Sequence, residues 1–321
     1  MSANKISSLA KRAILEIVLI VLCIVLGFKA EGFFSTDNML NVLRNVSMQG
    51  VIAFGMTMVI ISGEIDLSVG SAVAFAGCLA AVVTELLAGV GVPVPLAVAM
   101  AIIVCLVVGF CIGCLSGLVR ARFGVPTFIT TLAWMAALRG TAFLITNGFP
   151  VTSFPEWYNF LGGGYLFGIP FPAIVFAIVF CLVMVLMNYT SFGRSIYAVG
   201  GNMEAARLNG INVKRVKILV MGIVGFFAAI SGVMQSAEIM SGTATTATGW
   251  ELEVIAAVII GGTSLMGGVG KIRGTLVGVI FLGVLVNGMT LLNISEYWQL
   301  VVRGVLILSA VLINRTQTAK K

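Results

Sequence analysis

The chain has 321 residues, of which 60% are hydrophobic and 10% charged, with a formal net charge of +7. Soluble domains carry about a quarter charged residues, so this composition and a mean hydropathy of +1.13 exclude a soluble protein. They indicate a membrane protein with several spans. The positive charge is interpreted as a record of membrane orientation and not as a sign of nucleic-acid binding.

Apolar runs long enough to cross the hydrocarbon core recur along the chain. They predict an all-α integral membrane protein with about ten transmembrane helices in one domain covering residues 1–321. The first run follows three basic residues but has no clear signal-peptide cleavage site, so it is predicted to be a retained span. The predicted spans are residues 13–30, 46–63, 68–89, 95–119, 127–146, 169–188, 216–237, 251–267, 273–293 and 297–314.

The distribution of charge predicts the orientation of these spans. Cytoplasmic segments carry an excess of Lys and Arg. With both termini in the cytoplasm, fifteen of the 19 basic residues fall on the inner side. The four exceptions are Lys29, Arg44, Arg139 and Arg303, and the roles of Arg139 and Arg303 stay open at this stage.

The segments predicted to lie outside differ in character. Residues 31–45 are amphipathic and are expected to lie along the membrane interface. Residues 147–168 carry an aromatic cluster typical of an interfacial belt, and the Gly/Thr-rich residues 238–250 are expected to form a flexible outer loop. Small residues at helix-packing spacing predict close helix contacts, at Gly109, Gly113, Gly117, Gly274 and Gly278.

A weak similarity between two short segments of the sequence predicts two pseudo-repeated halves. Residues 59–63 (VIISG) resemble residues 258–262 (VIIGG), and both runs end a span with glycine. Paired glycine-broken spans are typical of transporters built from repeats. Two interpretations of Glu64 and Asp66 remain open: they cap the next helix at the inner water interface, or they serve a gate. The gate or helix-break candidates are Gly63, Glu64, Asp66, Ser68, Gly70, Gly261 and Gly262.

The longest polar, basic interval inside the chain is residues 197–217, which overlaps a predicted cytoplasmic loop of about residues 189–215. Residues 204–210 (EAARLNG) combine good helix formers with a terminal Gly, which predicts a short helix ending at Asn209 or Gly210. It is interpreted either as a docking ridge for a soluble partner or as a plain interfacial connector.

Catalytic chemistry finds little support in the sequence. There is no His, and no nucleophile-and-base or metal set can be assembled. Residues 267–271 (GGVGK) fail the phosphate-binding loop pattern, because Ile272 follows the Lys. The chain is therefore predicted not to be an enzyme, to bind no metal and to hydrolyse no ATP by itself.

Four stretches together resemble the permease subunits of ribose-type ABC importers, a branch of the branched-chain-amino-acid and ribose permease superfamily. The resemblance covers nearly the whole chain in order and spacing. At Glu64 the chain departs from the family, which often has Gly there, and this argues against a turn that is a glycine hinge alone. The stretches are residues 63–71 (GEIDLSVGS), 197–202 (YAVGGN), 204–212 (EAARLNGIN), and 256–264 (AAVIIGGTS) with 267–270 (GGVG).

The resemblance implies a permease in the bacterial inner membrane that moves a monosaccharide. It implies two copies of the permease, a separate ATP-binding subunit that holds ATP and Mg²⁺, and a periplasmic sugar-binding protein. The coupling helix that docks on the ATP-binding subunit would comprise Glu204, Ala205, Ala206, Arg207 and Gly210. Ser231, Gln235 and Asn287 are candidates for the sugar path. The rival prediction is a stand-alone secondary transporter or channel that uses Glu64 and Asp66.

Overall fold

A computed structural model describes residues 14–318, and the chain is predominantly helical over that range. A 3₁₀ helix (Glu156–Asn159) and an antiparallel pair of two-residue strands, β1 (Tyr165–Leu166) and β2 (Ile169–Pro170), lie between α5 and α7. The α-helices are α1 (Ile14–Lys29), α2 (Thr36–Ile61), α3 (Val69–Gly89), α4 (Val94–Phe123), α5 (Thr127–Ile145), α6 (Phe160–Gly163), α7 (Phe171–Tyr189), α8 (Ser191–Gly201), α9 (Met203–Leu208), α10 (Val213–Glu238), α11 (Trp250–Ile260), α12 (Ile272–Leu291) and α13 (Glu296–Thr318).

The all-helical membrane class is confirmed, but the count of ten spans is not. Among residues 14–318, seven helices are long and apolar enough to cross a membrane, namely α2, α3, α4, α5, α7, α10 and α12. The span predicted at 251–267 is wrong in length, because α11 has 11 residues and ends at Ile260. Its rise of about 16 Å is about half of the hydrocarbon thickness.

The amphipathic segment predicted to lie along the interface forms, from Thr36 onward, the first part of the long helix α2; its placement along the membrane interface stays a prediction. Ser35 caps α2 by accepting a hydrogen bond from the Asn38 amide at 3.3 Å, and the helix then continues unbroken for 26 residues. One polar residue of this stretch has a partner inside the bundle: the Asn38 and Asn287 side chains exchange two hydrogen bonds of 2.7 and 3.0 Å. Amphipathicity here therefore reflects a polar contact between helices.

Helix α10 forms the centre of the bundle and packs most extensively on α4, then on α3 and α2. The predicted role of the glycines is confirmed. A Cβ atom on Gly109 or Gly113 would overlap the backbone of α10, and one on Gly274 or Gly278 would overlap the backbone of α11 or the turn that follows it. Because these positions lack a side chain, the helix backbones touch directly.

The loops meet in two groups, one at each end of the bundle. At the end we call the basic end, the segments 62–68, 124–126, 190–212 and 261–271 or their flanking helix ends contact one another. At the opposite end, the segment 146–170 contacts 239–249. This grouping agrees with the predicted alternation of loops. The placement of both termini in the cytoplasm stays a prediction, and Lys5, Lys11, Arg12, Lys320 and Lys321, which partly support it, lie outside the described residues.

The prediction of a flexible outer loop at 238–250 is wrong for most of that segment. It descends along α3 into the bundle: a Cβ on Gly242 would touch Ala81 and Cys78, and a Cβ on Gly70 would touch the Ala247 carbonyl. The Arg139 side chain, whose role was open, donates to two carbonyl oxygens of this segment at 2.5 and 2.7 Å. Irregular backbone at membrane depth requires such partners inside the protein.

Candidate functional site

Helices α2 and α11 end in the same way. Gly63 and Gly262 each adopt a left-handed conformation, with φ of 80° and 87°. At each end the glycine amide and the next amide bond back to carbonyls of the last helical turn, which is the Schellman arrangement. The similarity between the two short segments therefore corresponds to a shared backbone geometry. The two pseudo-repeated halves remain a prediction.

The two helix ends also touch each other and the polar segment between the spans. The Gly268 amide donates to the Ile61 carbonyl at 2.8 Å, which joins the segment after α11 to the end of α2. The Tyr197 hydroxyl of α8 donates to the Gly270 carbonyl at 3.0 Å. Gly200 of α8 lies so close to Ile61 that a Cβ there would overlap its carbonyl oxygen. Helix α8 thus contacts both breaks at once.

After Gly63 the chain runs in a non-helical segment up the inside of the bundle. Thr127 and Thr131, four residues apart on α5, accept hydrogen bonds from the Ile65 and Leu67 amides at 3.4 and 3.1 Å. Alternate amides of an extended chain point the same way, so two hydroxyls one helical turn apart satisfy them. We did not predict these threonines from the sequence. The only signal for them there is their spacing of four residues on the helix that follows Pro126.

Glu64 lies at the centre of a buried ionic cluster. Its carboxylate accepts from Arg120 Nε at 2.9 Å, from Thr127 Oγ1 at 2.6 Å, and from Lys217 Nζ. Burial raises the pKa of Glu64, but the hydrogen bonds from Lys217, Thr127 and Arg120 outweigh it and hold the pKa below its ordinary value of 4.5. The cluster ties the first break to the ends of α4 and α10.

The interpretation of Glu64 and Asp66 as helix caps at a water interface is wrong. Both are buried, with 5% and 3% of their surface exposed, and no side chain caps α3. Asp66 instead accepts from the Ser68 amide at 2.8 Å and the Ser68 hydroxyl at 2.6 Å. Burial raises the pKa of Asp66, and these bonds from Ser68 offset only part of the effect. Gly70 faces the Glu251 carboxylate, and Gly261 packs on Gly274.

The short helix predicted at 204–210 is confirmed as α9. The Asn202 side chain caps its start by accepting from the Ala205 amide at 2.9 Å. Gly210 ends it at φ 82°, a conformation that favours glycine. Glu204, Ala205 and Arg207 are exposed on its surface.

Ala206 does not belong to that exposed surface. It is 4% exposed and packs into the main hydrophobic core, because it occupies the face of α9 that lies against the bundle. The large apolar side chains exposed on α9 are those of Met203 and Leu208, which are 48% and 81% exposed. Sequence reasoning missed both residues.

The candidates for the path do not all share one place. Gln235 and Asn287 line a cavity of about 600 Å³ between α2, α10, α11, α12 and α13. Ser231 does not line it: this residue is completely buried, and its hydroxyl donates to the Met48 carbonyl at 2.8 Å. The hydroxyl joins α10 to α2, and the role of Ser231 as a path residue stays a prediction.

Three further polar side chains line the same cavity and were not selected from the sequence. Gln49 Nε2 donates to Glu253 Oε2 at 2.7 Å, and the Arg303 guanidinium pairs with Glu253 Oε1. An ionised pair inside the bundle is costly and is by default a functional candidate. Arg303 had been left without a role, and its partner is 50 residues away in the sequence.

Comparison with known proteins identifies the family of the chain. The family described as "Branched-chain amino acid transport system / permease component" matches residues 38–311. The chain is 42% identical to the ribose import permease protein RbsC of Escherichia coli (strain K12), over 93% of this chain and 92% of that protein. It is also 42% identical to RbsC of Bacillus subtilis (strain 168), over 94% and 92%.

Another relative is named for a different sugar. The chain is 40% identical to the L-arabinose transport system permease protein AraH of Escherichia coli (strain K12), over 95% of this chain and 91% of that protein. No solved structure matches the chain.

Proposed function

Because the chain belongs to the family of permease components of branched-chain amino acid transport systems, we propose that it is the membrane-spanning permease of an ATP-driven monosaccharide importer. The observation that carries the proposal is the identity of about two residues in five, over more than nine-tenths of the chain, to permeases named for ribose and L-arabinose. We place it in the bacterial inner membrane with the basic end and both termini in the cytoplasm, as the Lys/Arg excess favours.

A separate ATP-binding subunit would dock on α9. This helix is exposed at the basic end and offers a carboxylate at Glu204, a guanidinium at Arg207 and two exposed apolar side chains. Apolar side chains surrounded by charges are typical of a docking surface. ATP and Mg²⁺ would bind to that subunit, and this chain would supply no catalytic group.

Movement of the docked subunit would reach the path through α8 and α10. Helix α8 contacts both helix breaks through Gly200 and Tyr197, and α10 carries Lys217 of the Glu64 cluster near its start. A displacement of α8 and α9 therefore acts on both breaks together. This chain of contacts supports a coupling role for Glu64 and for the glycines at 63 and 262.

Two further partners complete the proposal. A second copy of the permease would pack against the first, and a periplasmic sugar-binding protein would deliver the sugar at the opposite end. Both follow from the importer class to which the named relatives belong. Disulfide cross-linking between two copies in native membranes tests the first, and co-purification with the binding protein tests the second.

Charge reversal on α9 tests the docking surface. We expect Glu204→Lys to insert normally, while co-purification of the ATP-binding subunit and ATP-driven uptake of D-ribose each fall about tenfold, the effect of about 1.4 kcal/mol at an interface. Glu85→Lys, the same reversal at an exposed position of the opposite end, is the matched control and should keep co-purification at the wild-type level. Unchanged co-purification of Glu204→Lys would place the subunit elsewhere.

Reconstitution separates the importer from a secondary transporter. In proteoliposomes, we expect D-ribose uptake only when the ATP-binding subunit, ATP and the binding protein are all present. Uptake by the permease alone, unaffected by ATP and by the binding protein, would overturn the proposal in favour of a stand-alone transporter.

A further inference from the structure

We propose that the cavity of about 600 Å³ between α2, α10, α11, α12 and α13 is a solute site within one copy of the permease, and that it takes a neutral polyhydroxylated molecule of monosaccharide size. This inference rests on the proposed function, because it assigns a site to that substrate class. The volume lies within the range of small-molecule sites, about 300–1,000 Å³. Nothing in the sequence singled out this place apart from Gln235 and Asn287.

The first argument is the polarity of the cavity wall. Gln49, Glu253 and Arg303 form a connected polar group on three different helices. The Arg303 Nε atom is buried and has no hydrogen-bond partner among the residues that the structure describes. The Nε atom is covered by protein atoms, so Arg303 lines the cavity through its other atoms. Together the three side chains give the wall groups that donate and groups that accept hydrogen bonds.

The second argument concerns charge. Glu253 and Arg303 neutralise each other by direct contact, and these are the only charged residues among those lining the cavity in the described part of the chain. A carboxylate or ammonium ligand would have to break this pair to find a counter-charge. A neutral ligand with many hydroxyls can donate to Glu253 and accept from Arg303 while the pair stays intact. The site therefore fits a sugar better than an amino acid.

The third argument is the rest of the lining. Trp250 provides an aromatic side chain whose flat face can pack on the C–H side of a sugar ring. Asn45 and Gln235 add amides that both donate and accept hydrogen bonds. An apolar wall with a few placed polar groups is the usual composition of a small-molecule site.

The fourth argument is access. A second cavity of about 580 Å³ shares Thr290, Leu300 and Arg303 with the first and extends to Asn293 and Glu296 at the turn between α12 and α13. That turn lies at the opposite end of the bundle, where the binding protein is proposed to release sugar. Arg303 stands between the two cavities, at the inner limit of this route.

Thiol protection tests occupancy of the cavity without ATP or partner subunits. Thr290→Cys places a thiol where the cavities meet, and none of the six native cysteines lines either of them. In the full chain in nanodiscs, we expect millimolar D-ribose to slow labelling of this cysteine at least threefold, and L-leucine to leave the rate unchanged. Val185→Cys, an exposed position on α7, is the control and should show no protection.

Transport by the reconstituted complex tests the same site in function. Asn45→Leu changes an exposed wall residue and should lower D-ribose uptake several-fold, while Gln49→Leu should lower it about tenfold, the effect of losing a hydrogen bond to a charged group. Both variants should keep normal co-purification of the ATP-binding subunit. Thr141→Val, on a helix that does not line the cavity, should transport as the wild type does.

The outcomes separate this inference from the proposed function. Normal ATP-driven uptake with no ribose protection and full activity of Asn45→Leu would overturn the site alone. Ribose protection without any ATP-driven uptake would keep the site and overturn the importer. Protection that follows lipid content instead of sugar, or spontaneous cross-linking of Thr290→Cys between two copies, would assign the cavity to a lipid chain or to a second protomer and overturn the inference.

Discussion

Removal of the Glu64 charge should destabilise the protein far more than removal of one of its partners. Glu64 and Lys217 are buried, with side chains 4% and 7% exposed, whereas Arg120 is 27% exposed. In Glu64→Gln, the Lys217 ammonium loses its carboxylate while it stays buried, and breaking a buried pair from one side costs about 3–5 kcal/mol. In Lys217→Met, Arg120 still pairs with the carboxylate, so the cost should be about 1–3 kcal/mol.

The double variant is the decisive one. Glu64→Gln with Lys217→Met leaves no buried uncompensated ammonium, so it should be more stable than Glu64→Gln alone. The measurement is reversible unfolding in mixed micelles followed by circular dichroism, analysed as a double-mutant cycle. Strict additivity of the two single changes, or a cost of Glu64→Gln below that of Lys217→Met, would refute the reasoning.

The same cluster predicts a dependence on pH with a definite sign. The pKa of Glu64 is lower in the folded protein than its ordinary value of 4.5, so its stabilising contribution is complete above that value and is lost as the pH falls through the folded-state pKa. The stability difference between wild type and Glu64→Gln should therefore be constant near neutral pH and shrink on acidification below 4.5. A difference that grows on acidification would contradict the assignment.

Three further changes follow from single contacts. Gly200→Ala should lower ATP-driven uptake, because its Cβ would overlap a carbonyl at the end of α2, while Gly201→Ala, with nothing within 4 Å of its Cβ, should behave as wild type in the same assay. Asp66→Asn keeps an acceptor for Ser68 and removes a buried charge; since burial raises the pKa of Asp66, the variant should gain stability over wild type as pH rises through that pKa, measured by unfolding. Arg139→Met leaves two carbonyls before α11 without a donor and should cost about 2–5 kcal/mol in unfolding.

The features that could be predicted from the sequence depend on local geometry. A glycine is needed where the backbone turns left-handed after a helix, so both breaks and the end of α9 could be located from Gly63, Gly262 and Gly210. Close helix contacts could be located from the spacing of small residues on α4 and α12. In each case the residues that give the sequence signal lie within a few residues of the structural feature that they predict.

The features that could not be predicted depend on contacts between distant segments. Lys217 is 153 residues from Glu64. No local pattern could therefore show that the side chain of Glu64, which follows the glycine of the turn, forms a salt bridge. The short length of α11 was hidden because its apolar run continues past Gly261. The polar group of Gln49, Glu253 and Arg303 forms only when three helices pack with these side chains side by side. The order of residues along the chain does not show how the helices are aligned.

The contact between Arg139 and the segment before α11 has a consequence for how the protein is made. The carbonyl that accepts from Arg139 at 2.5 Å lies 105 residues further along the chain. An arginine at the centre of a spanning helix costs about 2.5–3.5 kcal/mol on insertion, and Arg139 lies about one turn from the middle of α5. Helix α5 is therefore synthesised as a marginal span that later segments must complete, and a ribosome that stalls before Ala244 leaves it without this partner. A segment in the last third of the chain thus helps to stabilise a helix in the first half.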